Sequence, residues 1–123
     1  MKIRINGNSV RIRLSRPEVD RFGKEGYLEE KTEFGSASFV YALQSKKDGD
    51  GLSASYEANK MIMFVPEQIQ QEWVTTEKVG YDATMPIGNG KTTYLLLEKD
   101  FKCVDGEHIE DQSDNYEHPT KTC

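Results

Sequence analysis

The feature that most constrains this chain is one order of strands, turn and helix that occurs twice. In each case an alternating strand, a polar turn and a second strand lead into a proline-opened helical turn. The second occurrence is displaced along the sequence from the first by 51 residues, the interval from Asn8 to Asn59. Six pairs of like residues then coincide: Asn8 with Asn59, Val10 with Met61, Ile12 with Met63, Leu14 with Val65, Phe22 with Trp73, and Leu28 with Val79. One unit alone has too little core to fold, so two related units sharing a core are predicted, at about 1–47 and 50–101.

Strict alternation over residues 2–5 and 10–14 predicts two half-buried strands, because successive side chains of a strand face opposite ways. Asn6-Gly7-Asn8 between them favours a hairpin. Ser15-Arg16-Pro17-Glu18 is typical of a capped helix start, and Pro66-Glu67-Gln68 opens a second short helix. We therefore predict an α+β fold, mostly antiparallel, with two similar strand-strand-helix-strand-strand units in a single domain over 1–102. A barrel-like arrangement is one form this could take.

Charge is segregated along the chain, although its net value is only −5. Residues 1–24 carry seven bases against Glu18 and Asp20, whereas residues 103–120 carry six acids and no lysine or arginine. We predict an acidic C-terminal segment over 103–123. No apolar run long enough to span a membrane is present, and no export signal is recognised, so a cytoplasmic protein with reduced thiols is expected.

The first hairpin predicts a cationic sheet face. Antiparallel pairing would bring four side chains together on the side opposite the core: Lys2, Arg4, Arg11 and Arg13. Three arrangements could neutralise them: nearby acids such as Glu29, Glu33 or Glu98, the chain's own acidic segment, or a nucleic acid or other polyanion. The acidic net charge argues against nucleic acid as the partner.

The second unit contains a strand that is apolar at both parities, Met61-Ile62-Met63-Phe64-Val65. Such a strand is either central and buried on both faces, or part of an interface. The second alternative predicts self-association through Met61, Met63 and Phe64, and hence a homodimer or a protein partner.

Motifs for chemistry are weak. Gly90-Lys91-Thr92 lacks the upstream glycine and the following helix of a phosphate-binding loop, and Asp48-Gly49-Asp50-Gly51 lacks the remaining ligands of a calcium loop. Weak zinc candidates are found only in the acidic segment: Cys103, His108 and His118. No cofactor is predicted.

Two resemblances accompany these patterns. Residues 10–19 and 61–69 each resemble the swapped-hairpin fold of AbrB-type transcription regulators and MazE-type antitoxins. That resemblance implies an intertwined barrel and DNA binding by basic strand residues, for which Arg11 and Arg13 fit. The whole chain resembles a group of short uncharacterised bacterial proteins, through residues 1–9 and 110–116, and this resemblance implies no activity.

The sequence thus favours a non-enzymatic binding or interaction module of unknown partner. An AbrB-like nucleic-acid-binding regulator and an enzyme with a site between the two units are the alternatives.

Overall fold

The computed structural model describes residues 1–101, which fold into eight strands and two helices. The first half contributes β1 (Lys2–Asn6), β2 (Ser9–Leu14), α1 (Arg16–Glu25), β3 (Tyr27–Glu33) and β4 (Ser38–Lys46). The second contributes β5 (Ser53–Glu57), β6 (Lys60–Pro66), α2 (Glu67–Thr75), β7 (Gly80–Gly88) and β8 (Lys91–Lys99). The predicted acidic segment, with Cys103, His108 and His118, lies outside the described residues.

Each of the two sheets takes one hairpin from each half of the chain. Sheet A has the order β1-β2-β8-β7 and sheet B the order β3-β4-β6-β5. The four hairpins are antiparallel, whereas the two halves meet through parallel pairs, β2 with β8 and β4 with β6. The α+β, mostly antiparallel fold is confirmed. The barrel-like alternative is wrong, because over residues 1–101 β1, β7, β3 and β5 remain sheet edges.

The direction of the strands puts the helices at one end of the sandwich and all four hairpin turns at the other. β2 and β6 each run from a turn into a helix, and β8 and β4 run parallel to them. Matching hydrogen bonds fix both parallel pairs at the turn end: Tyr94 N–H donates to Asn8 O, and Val40 N–H donates to Asn59 O, each at 3.0 Å. We call the turn-bearing side the open end.

Helix α1 begins as the sequence predicts. The Glu18 carboxylate accepts a hydrogen bond from Ser15 N–H at 2.8 Å, and Pro17 lies in the first turn. Gly26 ends the helix with φ 71°, a left-handed conformation that glycine adopts without strain. Helix α2 instead starts after Pro66 and is followed by a longer connection, so β7 begins only at Gly80.

That longer connection invalidates one of the six sequence pairs. Leu28 is buried in β3, whereas Val79 precedes β7 and is 48% exposed. The other apolar pairs lie in the core or, at Val10, pack against it. The core is formed by the inward rows of both sheets and one aromatic residue from each helix. Phe22 and Trp73 are fully buried and meet edge to face, with ring centroids 6.5 Å apart. Over residues 1–101 neither helix is long and apolar enough to cross a membrane.

Candidate interaction surfaces

The four predicted cations do lie together on the outer face of sheet A. In the β1–β2 register Lys2 is opposite Arg13 and Arg4 is opposite Arg11, while the alternating partners Ile3 and Ile12 face inward. The hydrophobic requirement of the core therefore sets the parity, and the parity places every basic side chain of this hairpin outside. We call these four residues the cationic face.

Only part of the charge on the cationic face is matched by acids. Glu98 Oε1 lies 3.5 Å from Arg11 Nε and 3.4 Å from Arg13 Nε, so two guanidinium groups share one carboxylate. Lys2 Nζ lies 2.8 Å from Asp100 Oδ2. Within residues 1–101 Arg4 has no acidic partner within 4.0 Å. Four cations against these two acids leave a net charge of +2.

Of the three acids expected near this face, only Glu98 contacts it. Glu29 lies on sheet B, where its Oε1 accepts from Tyr27 OH at 2.6 Å and binds Lys60 Nζ at 3.0 Å. The Tyr27 hydrogen bond first, and the Lys60 contact second, lower the pKa of Glu29. Glu33 ends β3 in the same sheet, opposite Ser38.

The N-terminus anchors β1 beside the helices. The Met1 ammonium binds the Glu18 carboxylate and lies 3.9 Å from Glu30 Oε2, and the Met1 carbonyl accepts from Tyr41 OH at 3.2 Å. Burial opposes ionisation of Glu18, but the hydrogen bonds from the ammonium and from Ser15 outweigh it and lower the pKa of Glu18. These contacts hold the strand that carries Lys2 and Arg4.

The strand that is apolar at both parities is a central strand, and its two faces differ in exposure. Met61 and Met63 point into the core, 7% and 0% exposed, and therefore are not available to a partner. Their burial does not support self-association through Met61 and Met63, because both side chains pack in the core between the sheets, and the predicted surface stays a prediction. Phe64 lies on the outer face of sheet B with Ile62, and both are half-buried.

The two outer faces of the sandwich thus have different chemistry at matching places. β2 and β6 are the second strands of their sheets and each leads into a helix. Their outward residues are Arg11 and Arg13 in sheet A, but Ile62 and Phe64 in sheet B.

A third surface, which the sequence patterns did not identify, lies at the open end. Four large apolar side chains on or beside the edge strands are largely exposed: Ile5 58%, Phe34 70%, Tyr56 59% and Ile87 49%. Each continues, or directly follows, the inward-facing row of its strand, next to a hairpin turn. The inner apolar layer therefore runs past the covered core into solvent. Alternation alone predicts that these residues are buried. The order of the strands in the sheets is needed to identify them as exposed.

Two grooves of about 590 and 540 Å³ flank the helices. The first lies between the end of α1 and the length of α2, and the second lies beside Phe101. The residues with shifted pKa values all lie outside both grooves: Glu18, Glu29, Tyr41, Lys60, Tyr81 and Tyr94. Neither groove therefore offers an acid–base pair with perturbed pKa values.

Residues 1–101 contain no group of three or more histidine, cysteine or carboxylate side chains arranged to hold a metal ion. The zinc candidates of the sequence fall outside this range.

Comparisons with known proteins give a family but no function. No curated protein matches the chain, and no solved structure matches it, so the AbrB-type resemblance is not confirmed. The model of one family, described as a family of unknown function (DUF7009), matches residues 1–120. Since the match covers nearly the whole chain, this protein belongs to the DUF7009 family of unknown function.

Proposed function

We propose that this chain is a non-enzymatic interaction module that associates with a second copy of itself through the open end. The observation that carries the proposal is the exposure of Ile5, Phe34, Tyr56 and Ile87 at one end of the sandwich. Single exposed apolar residues are ordinary on protein surfaces. Four that belong to inward-facing rows and lie at the same end are typical of a surface that a partner covers.

The charges around the open end favour a second copy as that partner. The charged residues beside the turns are Glu33, Glu57, Lys60 and Lys91, two acids and two bases. The remaining turn positions are mainly asparagine, glycine and serine. An apolar patch with a balanced rim is complementary to itself, which is what a twofold-symmetric dimer requires.

The test is the mass of the full chain across a concentration series from micromolar to millimolar, measured by sedimentation. The wild-type chain should shift from monomer to dimer. A double variant, Phe34→Ser with Ile87→Ser, should raise the dimer dissociation constant at least about tenfold, because burial of large apolar side chains is lost on both copies.

Val79→Ser is a matched control, because Val79 is 48% exposed against 49% for Ile87 but lies at the helix end. It should leave the dissociation constant unchanged. A wild-type chain that stays monomeric at every concentration contradicts the proposal. So does an equal loss with Val79→Ser, or a loss with Phe64→Ser alone, which would place the contact on the outer face of sheet B.

We further propose that the two halves arose by duplication of one unit, within a single domain. The shared order of elements supports this, as do the matching hydrogen bonds from Ser45 N–H to Gly26 O and from Lys99 N–H to Val79 O, at 2.8 and 2.9 Å. A cytoplasmic location stays a prediction.

A further inference from the structure

We propose that the acidic segment, residues 103–120, binds the cationic face of the same molecule. This inference is separate from the proposed dimer, because the cationic face is the outer surface of sheet A and not the open end. It rests on three features: the unmatched charge of the face, the place where the described chain ends, and the length of chain that follows.

Charge complementarity is the first support. Glu98 is divided between Arg11 and Arg13, and Arg4 has no acid within reach over residues 1–101. Like charges on adjacent strands repel, so the hairpin is stabilised by any anion that binds there. Residues 103–120 carry six acids and no lysine or arginine. No stretch of eighteen residues in the sequence carries a larger excess of negative charge.

The exit point of the chain is the second support. After β8, Asp100 N–H donates to Leu14 O at 2.8 Å, and the Asp100 carboxylate binds Lys2 Nζ. Phe101 is the last described residue, so the described chain ends one residue after an acid that contacts the cationic face. Asp100 already makes the kind of contact that we assign to the acids beyond it.

The remaining support is reach. The first acid of the segment, Asp105, is four residues beyond Phe101, a connection that spans at most about 14 Å when extended. Arg4 lies two residues along β1 from Lys2, or roughly 7 Å. A short connection of this kind gives an effective concentration in the millimolar range, so the segment outcompetes a dilute free polyanion.

The experiment detects the segment directly in the full chain. A spin label is attached at Ser113→Cys after Cys103→Ser and Cys123→Ser, and backbone amide signals are recorded by NMR. At about 0.01 M salt, where screening is weak, the label should broaden the amides of Arg4 and Arg11. The amides of Ser53 and Ser55, which lie on β5 at the edge of sheet B, should stay sharp. Salt near 1 M should restore all signals, because the Debye length then falls to about 3 Å.

A full chain with a neutralised segment is the matched control, with Asp→Asn or Glu→Gln at each of six positions: Asp105, Glu107, Glu110, Asp111, Asp114 and Glu117. It should lose the broadening and bind added poly-glutamate at least about tenfold more tightly than the intact chain. Adding Arg4→Gln and Arg11→Gln to the neutralised chain removes two cations from the face and should abolish that gain.

Four results would overturn the inference. Broadening that is equal on both sheets would show no preferred site, and broadening that persists in the neutralised chain would show a contact without charge. Broadening seen only when labelled and unlabelled chains are mixed would assign the segment to another molecule. Equal binding of poly-glutamate, or of a DNA duplex, by the intact and neutralised chains would leave the face open to partners in solution.

Discussion

Close contact between the two helices predicts that the effect of Gly23→Ala on the free energy of unfolding changes sign with the side chain present at position 74. Gly23 of α1 faces Val74 of α2. A Cβ added at Gly23 would lie 2.7 Å from Val74 Cγ1 and 3.2 Å from Cγ2. Normal carbon–carbon contact begins at about 3.5 Å, so the new methyl group is roughly 0.8 Å too close. Val74 cannot turn away easily, because a β-branched side chain in a helix has one strongly preferred rotamer.

The magnitude follows from two opposing effects. Overpacking of this kind costs about 1–3 kcal/mol, and it also strains the Phe22–Trp73 contact one residue earlier in each helix. Alanine is otherwise better than glycine in a helix interior by roughly 0.5–1 kcal/mol. Gly23→Ala should therefore reduce the free energy of unfolding by about 1 kcal/mol. In a Val74→Ala background the clash is absent, and the same change should raise the free energy of unfolding by about 0.5 kcal/mol.

Urea unfolding of all four chains measures this, with Trp73 fluorescence as the probe, since this residue is fully buried and is the only tryptophan. The expected coupling energy between the two positions is roughly 1.5 kcal/mol. Destabilisation by Gly23→Ala of the same size in both backgrounds would show that the helices do not touch at this point.

Two further predictions concern a backbone contact and a carboxylate. Gly80→Ala should cost at least about 3 kcal/mol or prevent folding, because its Cβ would lie 2.1 Å from the backbone oxygen of Leu97. Gly51→Ala, which meets no atom within 4 Å, should stay within about 0.5 kcal/mol by circular dichroism, and equal losses would contradict the reasoning. Glu18→Gln should destabilise the chain at neutral pH. Since the pKa of Glu18 is lowered by folding, its contribution is present above the unfolded value of about 4.3 and is lost as the pH falls through the folded value. Unfolding measured across pH should therefore show the difference between variant and wild type vanish in acid, and a constant difference would refute this.

The sequence predicts the helices and strands of this fold better than it predicts which strands pair with each other. Alternation places Ile3 and Ile12 inside and Arg4 and Arg11 outside, because a one-residue slip would bury four cations. The same alternation contains no information about which strand lies beside which. The parallel pair of β2 with β8 joins residues 85 positions apart, such as Ser9 and Tyr94, and their local sequences do not encode that distance.

The same limit applies to the surfaces that local pattern can locate. The cationic face depends on one hairpin, so local pattern was sufficient to place it. The inward face of the strand Met61–Val65 is not evident from local pattern, because both parities are apolar and only the position of the opposite sheet decides which side is the core. To identify the open end, the position of each exposed residue in the assembled sheets must also be known. Ile5 and Tyr56 lie at the same parity as Ile3 and Ala54, which pack against the core, and they are exposed where these edge strands continue to the hairpin turns.

The contrast between the two sheets distinguishes the inward positions, whose residue type folding constrains, from the outward positions, whose residue type it does not. Inward positions of β2 and β6 are apolar in both halves, as shown by Ile12 and Met63, because one shared core must be filled from both sides. Within residues 1–101, outward positions are not part of the shared core, so stability permits arginine in one sheet and Ile62 or Phe64 in the other. At these matching positions, two sheets built on the same plan therefore carry arginines in one case and apolar side chains in the other. A partner that bound one of these faces could not bind the other by the same contacts, because the outward side chains of β2 and β6 differ in charge and polarity.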